Sequence, residues 1–150
     1  MSKIAVLFII VLCVFTPAQA QEPAVRGWIS IPSIWTYAKP IVDDNWDLSD
    51  LGQGVAHLNT TNWIDDDWGR VVIAAHNPGA FSDIGNMTDG DLIALWDTDG
   101  YKVYIVYAIH KGVDPSEVRW LSATPEPTLV LLACWDNERT RIVIEATRVE

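Results

Sequence analysis

Cysteine, basic residues and long apolar runs are all scarce in this sequence. Its 150 residues contain 2 cysteines, and 10 lysines and arginines face 20 aspartates and glutamates, for a formal net charge of -10. So acidic a chain is a poor candidate for a nucleic-acid partner, because phosphate binding needs clustered lysine and arginine. Internal repeats, low-complexity tracts and linkers are also lacking, so we predict one compact domain.

The apolar stretch at the N-terminus is too short to cross a bilayer. Residues 4–15 are apolar, about twelve residues where a spanning helix needs ~20. Lys3 precedes them, and small residues at 17–20 follow, which is the pattern of a secretory signal peptide. We predict a signal peptide over residues 1–20, with an uncleaved anchor as the alternative, and a single domain over residues 21–150 that is exported to the cell surface or beyond.

Cleavage of this segment changes the thiol count. Cys13 would leave with the signal, and Cys134 would be the one cysteine of the mature chain. Oxidising compartments threaten lone thiols, so an unpaired cysteine in an exported protein suggests a function. The alternative is a buried cysteine that acts as a small hydrophobic residue.

Short β-branched and aromatic runs bounded by Gly, Pro, Asn or Asp predict strands. They lie at residues 28–31, 54–58, 70–76, 92–96, 101–109, 128–134 and 141–146. The run at 128–134 is nearly all apolar, which predicts a central strand buried on both faces. Helical signals are confined to short turns at residues 45–51, 78–84 and 114–117. The pattern predicts an all-β barrel or sandwich.

Three chemically versatile residues lie at the ends of predicted strands: His76, Cys134 and Arg141. A cysteine thiolate is a nucleophile, and a histidine can protonate a leaving amine. An arginine fork can hold an oxyanion. Together they are a minimal set for acyl transfer. Each alone also has a plain structural explanation, and sequence spacing does not establish that they meet.

Several motifs around these residues resemble the sortase family. VIAAH ends at His76 and is followed by Phe81 and by Gly90-Asp91, as in the stretch around the catalytic histidine of sortases. LVLLAC ends at Cys134 as the nucleophile strand does, and RIVI begins at Arg141 as the arginine strand does. ISIP at residues 29–32 and GVAHL at 54–58 resemble earlier strands of the family, so the resemblance spans residues 27–150.

The resemblance implies a closed eight-stranded β-barrel with a few short helices, and a cysteine transpeptidase. Cys134 would attack a sorting-signal peptide bond to form a thioester, His76 would act as acid and base, and Arg141 would stabilise the oxyanion. Partners would be proteins that carry a sorting motif and an amine acceptor, such as a cell-wall precursor or a lysine. No cofactor is implied, although Asp65, Asp66 and Asp67 are weak candidates for calcium, with a solvated acidic turn as the alternative.

Two positions depart from the family pattern. Ala133 stands where sortases usually have Thr before the nucleophile, and Ala75 stands where Gly commonly precedes the histidine. We include both, with Asn77 and Trp135, as candidate substrate-binding residues. Arg139 could compete with Arg141, which we prefer because of its interval from the apolar strand.

The connections on either side of the predicted Cys134 strand are short. They resemble those of the compact D, E and F sortase subclasses rather than subclass B.

Two other functions remain open at this point. One is a secreted all-β module that binds carbohydrate or peptide through exposed tryptophans and keeps Cys134 as a structural residue. The other is a cysteine hydrolase on the same scaffold, in which water accepts the acyl group.

Overall fold

Eight β-strands and three single-turn 3-10 helices form the regular structure of residues 24–44 and 54–149, the ranges that the computed structural model describes. The strands are β1 (Val25–Ile31), β2 (Thr36–Asp44), β3 (Val55–Leu58), β4 (Arg70–Ala75), β5 (Leu92–Trp96), β6 (Tyr101–Val113), β7 (Thr128–Trp135) and β8 (Thr140–Arg148). The 3-10 turns are Pro32–Ile34, Ile84–Asn86 and Arg119–Leu121. The predicted signal peptide and the helical signal at residues 45–51 lie outside the described residues.

The strands close into a barrel in the order β1-β2-β3-β4-β7-β8-β6-β5. The pairs β2–β3 and β4–β7 are parallel, and the other pairs are antiparallel. Closure gives every strand two neighbours, so no edge is left to template aggregation. The prediction of a closed eight-stranded barrel with short helical turns is confirmed. Within the two described ranges, no helix has the length and apolarity needed to cross a membrane.

Strand β7 is buried on both faces, as its apolar sequence predicts. Leu129 and Leu131 lie in the main core inside the barrel, whereas Val130 belongs to a second, smaller apolar cluster on the outer face. The side chain of Trp120, from the connection between β6 and β7, packs in this outer cluster. Strand β7 therefore lies in the middle of a layered region, flanked by β4 and β8.

Strand β2 is the one that the sequence analysis did not predict. Ala38 has a left-handed φ of 47°, and Pro40 lies opposite Trp28 in the pairing with β1. The β1–β2 register also shifts at two places, so alternation of side chains is interrupted. Proline and broken alternation both hide a strand from pattern reading.

The other predicted strands are present, with small differences at their ends. The largest difference is in β6, which continues to Val113 rather than ending at residue 109. Residues 78–84 and 114–117 form hydrogen-bonded turns, in line with the short turns expected there.

The buried Tyr104 of β6 should make the stability of the fold depend on pH in the alkaline range. Its side chain is 1% exposed, and burial raises its pKa to about 12, an effect that nearby Arg148 partly offsets. An unfolded tyrosine ionises near ~10, so the unfolded state loses this proton first as the pH rises. We therefore expect the free energy of unfolding to fall between about pH 10 and about pH 12.

Urea unfolding at about pH 9 and about pH 11 would measure this loss. Tyr104→Phe has no proton to lose and should show a smaller decline than the wild type. An equal decline in both proteins would contradict the assignment to Tyr104.

Candidate active site

Three adjacent strands carry the residues predicted for acyl transfer. Strand β7 pairs with β4 on one side and with β8 on the other. Cys134 lies directly opposite Arg141, and Leu132 lies opposite Ala74. His76 comes two residues after Ala74, and Cys134 comes two residues after Leu132 on the parallel strand β7. The register thus aligns the three residues in one row across strands that are ~4.8 Å apart, with the cysteine in the middle.

The three members of this His–Cys–Arg row (His76, Cys134 and Arg141) also share one face of the barrel. Side chains on a strand alternate between faces, so residues two or four apart lie on the same face. Leu132, Val143 and Val72 belong to the outer apolar cluster. Cys134 and Arg141 are each two residues from one of these, and His76 is four residues from Val72. All three side chains therefore project outward from the barrel.

A cleft of about 410 Å³ covers the row, and all three members line it. The rest of its lining includes the last residue of β6 and the first part of the connection to β7, residues 113–121, which we call the cleft wall. Val118, Trp120 and Leu121 supply its apolar surface. The sequence analysis did not assign this wall; the one signal was the apolar pair Trp120-Leu121 within an otherwise polar connection.

The cleft wall also carries two carboxylates. Asp114 and Glu117 both line the cleft. A hydrogen bond from the Ser116 hydroxyl and a second from its backbone N–H lower the pKa of Asp114. Asp114 is therefore ionised at neutral pH, and the Glu117 carboxylate pairs with Arg119 within the wall.

Cys134 is half-buried, forms no disulfide, and lines two clefts. The second cleft, about 820 Å³ and more open, is also lined by Asn77 and Trp135. The Asn77 Nδ2 donates a hydrogen bond of 3.1 Å to the carbonyl oxygen of Cys134, which ties the segment after β4 to the end of β7. Cys134 is thus not enclosed in the core, as the binding-module alternative would require.

A tight turn fixes the backbone of His76. The Phe81 N–H donates a hydrogen bond of 3.2 Å to the His76 carbonyl oxygen, and Phe81 is fully buried in the core. A Cβ added at Gly79 would lie 2.7 Å from that carbonyl oxygen and 2.9 Å from the His76 Cβ. Because only glycine fits so close, the turn can fold back against the histidine and hold it at the mouth of the cleft.

The two arginines near the end of β7 have different surroundings. Arg141 Nη1 donates hydrogen bonds to the carbonyl oxygens of Glu138 at 3.2 Å and Thr140 at 3.0 Å, while the side chain lines the cleft. Arg139 instead forms a two-pronged ion pair with the Asp136 carboxylate, at 2.8 and 2.9 Å, in the exposed β7–β8 turn. Of the two arginines, Arg141 lines the cleft over the row and Arg139 does not.

The candidate substrate-binding residues divide between the two clefts. Ala75 and Ala133 are in the barrel core, 4% and 3% exposed, and border the cleft over the row. Trp135 is half-buried at the end of the barrel, with the Lys111 ammonium 5.1 Å from its ring centroid. Trp135 and Asn77 line the second cleft rather than the first.

The acidic run at residues 65–67 is engaged by donors of the protein itself. The Asp66 carboxylate accepts hydrogen bonds from Asn62 Nδ2 and from the Trp63 N–H, and the Asp67 carboxylate pairs with Arg148 at 3.3 Å. Among residues 24–44 and 54–149, no three His, Cys, Asp or Glu side chains are grouped closely enough to hold a metal ion.

The other two histidines serve different parts of the barrel. His57 is 3% exposed, and its Nδ1 lies 2.8 Å from the Asp43 carboxylate. His110 Nε2 lies 3.0 Å from the Glu145 carboxylate on β8. Neither lines the cleft over the row.

A protein-family model and several solved structures match this chain. The family model described as Sortase domain matches residues 29–149. Among solved structures, a sortase D5 transpeptidase from Clostridium perfringens superposes with a TM-score of 0.75 at 22% identity, covering 83% of this chain and 78% of that one. Sortase A from Corynebacterium diphtheriae has a TM-score of 0.74 at 26% identity, covering 86% of this chain and 62% of that one.

Sortase E1 from Streptomyces coelicolor, solved with a tripeptide in its active site, has a TM-score of 0.74 at 22% identity and covers 83% of this chain and 87% of that one. No curated protein matched the chain. These structures come from subclasses D, A and E with nearly equal scores, so the compact D, E or F subclass stays a prediction.

A match over residues 29–149 covers most of the chain, and the barrel is shared with sortases of several subclasses. The chain belongs to the sortase family and is a sortase-type cysteine transpeptidase.

Proposed function

We propose that this enzyme is exported, cleaves a peptide bond in a sorting-type motif through a thioester at Cys134, and transfers the acyl group to an amine. The observation that carries the proposal is the row of His76, Cys134 and Arg141 across three neighbouring strands, lining one cleft. Family membership supplies the general reaction, and the row supplies the residues.

The first half-reaction forms the thioester. The Cys134 thiolate attacks the carbonyl carbon of the scissile bond, and the tetrahedral oxyanion is stabilised by the Arg141 guanidinium. Protonated His76 donates to the departing amine, so the C–N bond breaks and a new chain end leaves.

The second half-reaction transfers the acyl group. An incoming amine gives its proton to neutral His76, attacks the thioester and expels the Cys134 thiolate. The energy of the cleaved amide is retained in the thioester, so no nucleotide is needed. Side chains carry each step, so the proposed cycle requires no cofactor.

Arg141 can serve both the fold and the reaction. Its bonds to the Glu138 and Thr140 carbonyls are made through Nη1. A guanidinium has five N–H groups in a rigid fork, so it can hold the turn and still donate to an oxyanion.

The lining of the cleft suits a peptide with an apolar side chain near the scissile bond. Val118, Trp120 and Leu121 face Leu132 and Val143 across it. Asn77 and Trp135 lie on the other side of Cys134, along the second cleft, where an amine acceptor such as a cell-wall precursor or a lysine could approach. Ala75 and Ala133 border the cleft beside the nucleophile, while their side chains pack in the barrel core.

Export is supported by the signal-type sequence over residues 1–20 and by the family, whose members are typically cell-surface or membrane-anchored enzymes. In that setting the lone thiol of Cys134 is retained for catalysis rather than for a disulfide.

The thioester is directly observable. We expect the mature domain, incubated with a library of sorting-type peptides, to form a covalent acyl adduct that intact-protein mass spectrometry detects. Cys134→Ala removes the nucleophile and should abolish the adduct. An adduct that persists in this variant, or a wild-type protein that forms none with any peptide although its thiol reacts with iodoacetamide, would contradict the proposal.

The two arginines provide a matched pair of variants. Arg141→Ala should lower kcat/KM for the peptide by about 10²–10³-fold, the usual loss for an oxyanion donor. Arg139→Ala breaks an exposed pair with Asp136 and should change kcat/KM by less than about threefold. Steady-state kinetics on both variants test the assignment, and a larger loss in Arg139→Ala would reverse it.

The fate of the acyl group separates transfer from hydrolysis. Adding hydroxylamine or a short amine should divert product from the free acid to the hydroxamate or amide, in proportion to amine concentration. Chromatography with mass detection measures this ratio. Free acid alone at every amine concentration would favour the cysteine hydrolase.

A further inference from the structure

A buried arginine at the start of β4 connects the barrel to the cleft wall. Arg70 is 8% exposed. Its Nη1 donates to the Trp120 carbonyl oxygen at 3.1 Å, its Nε to Thr128 Oγ1 at 3.3 Å, and its Nη2 to Glu145 Oε2 at 3.4 Å. One guanidinium thus joins β4, β7, β8 and the 3-10 turn of the wall.

Strand alternation explains why Arg70 shares a face with the reactive row. Residues 70, 72, 74 and 76 lie on one face of the β4 segment, and Thr128 to Cys134 follow the same alternation on β7. Glu145, Val143 and Arg141 do so on β8. The outer face of these strands therefore has the His–Cys–Arg row at one end and the Arg70 network at the other, with apolar residues between them.

The positive charge of the buried Arg70 is balanced by the Glu145 carboxylate. The Glu145 carboxylate also accepts hydrogen bonds from the Tyr107 hydroxyl at 3.2 Å and lies 3.0 Å from His110 Nε2. The side chain of Glu145 is 14% exposed. Ion pairs of this kind contribute little net stability, because desolvation offsets attraction, but they hold a defined geometry.

Trp120 links the hydrogen bonds of Arg70 to the lining of the cleft. The Trp120 ring is buried in the outer cluster, and its centroid lies 4.6 Å from that of the His110 ring. The Arg119 guanidinium lies 4.0 Å from the same Trp120 centroid. The indole N–H has no hydrogen-bond partner among the described residues, so its ring is held by packing while its carbonyl is held by Arg70. The same residue, with Val118 and Leu121, lines the cleft.

We propose that Arg70 is a positioning residue, which fixes the cleft wall through the Trp120 carbonyl and so sets the affinity for the peptide substrate without acting on Cys134. This rests on the proposed function for the identity of the substrate. The shape of the wall follows from the network alone and can be tested without turnover.

Arg148 supplies a matched control. It is a second poorly exposed arginine, with 12% of its side chain accessible, and its Nη1 donates to the carbonyl oxygens of Ile64 at 3.2 Å and Asp66 at 2.8 Å. It therefore holds a loop between β3 and β4 in the way that Arg70 holds the wall. The residues of that loop do not line the cleft over the row.

The test compares Arg70→Met, Arg70→Lys and Arg148→Met. Arg70→Met should raise KM for the peptide about tenfold with little change in kcat, the loss expected for one hydrogen bond from a charged donor. Arg70→Lys keeps a charged donor, so its KM should lie between those of the wild type and Arg70→Met. Arg148→Met should leave KM within about twofold of wild type.

Two further measurements do not depend on turnover. Hydrogen exchange of residues 113–121 should be faster in Arg70→Met and unchanged in Arg148→Met, whereas the rate of Cys134 alkylation by iodoacetamide should be unchanged in both. If Arg70→Met does not fold, the Arg70→Met/Glu145→Gln double variant removes both charges and should show the same rise in KM and in exchange.

The proposal is overturned by unchanged exchange of the wall in Arg70→Met, or in the double variant if the single one does not fold. An equal rise of KM in Arg148→Met would also overturn it, because it would point to general destabilisation. A wild type that forms no thioester would refute the proposed function instead, and the exchange measurement would still decide whether Arg70 holds the wall.

Discussion

The pairing of β7 with β4 on one side and β8 on the other is the constraint on which the rest of the structure depends. Backbone hydrogen bonds set Leu132 opposite Ala74 and Cys134 opposite Arg141. Side-chain alternation has a period of two, so a slip of one residue would turn Cys134 into the barrel. Such a slip would also exchange the β7 side chains that pack in the main core with those that pack in the outer cluster, so the close packing of both clusters opposes it and helps to keep the three residues aligned.

The outer face of these strands combines rigid and adjustable parts. The His–Cys–Arg row lies on strand ends and on turns fixed by close contacts, such as Gly79 against His76. The cleft wall belongs to a connection and depends on a few contacts, chiefly the packing of Trp120 and the bond from Arg70 to its carbonyl. The row and the wall are therefore held by different sets of interactions, which mutations can separate.

Much of the fold could be read from local pattern. The runs that became β4, β5 and β7 are apolar, β-branched and bounded by turn residues, and such segments have few alternatives to strand structure. β2 was not predicted because Pro40 and the left-handed Ala38 interrupt the alternation of its side chains. Pairing with β1 and β3 makes this segment a strand although its local sequence has little preference for one. The candidate residues His76, Cys134 and Arg141 were found from residue type and resemblance, whereas the cleft wall was not, because nothing local in residues 113–121 indicates what the connection covers.

The sequence by itself determined seven of the eight described strand segments, the acidic charge, the lone cysteine of the predicted mature chain and the order His, Cys, Arg, because these are properties of residue type and spacing. Only the tertiary structure decided which strands are neighbours. Residues 58 positions apart, such as Ala74 and Leu132, become partners through long-range backbone hydrogen bonds that no local pattern encodes. The different surroundings of Arg139 and Arg141 likewise follow from the path of the β7–β8 turn, which places Arg139 beside Asp136 and Arg141 in the lining of the cleft.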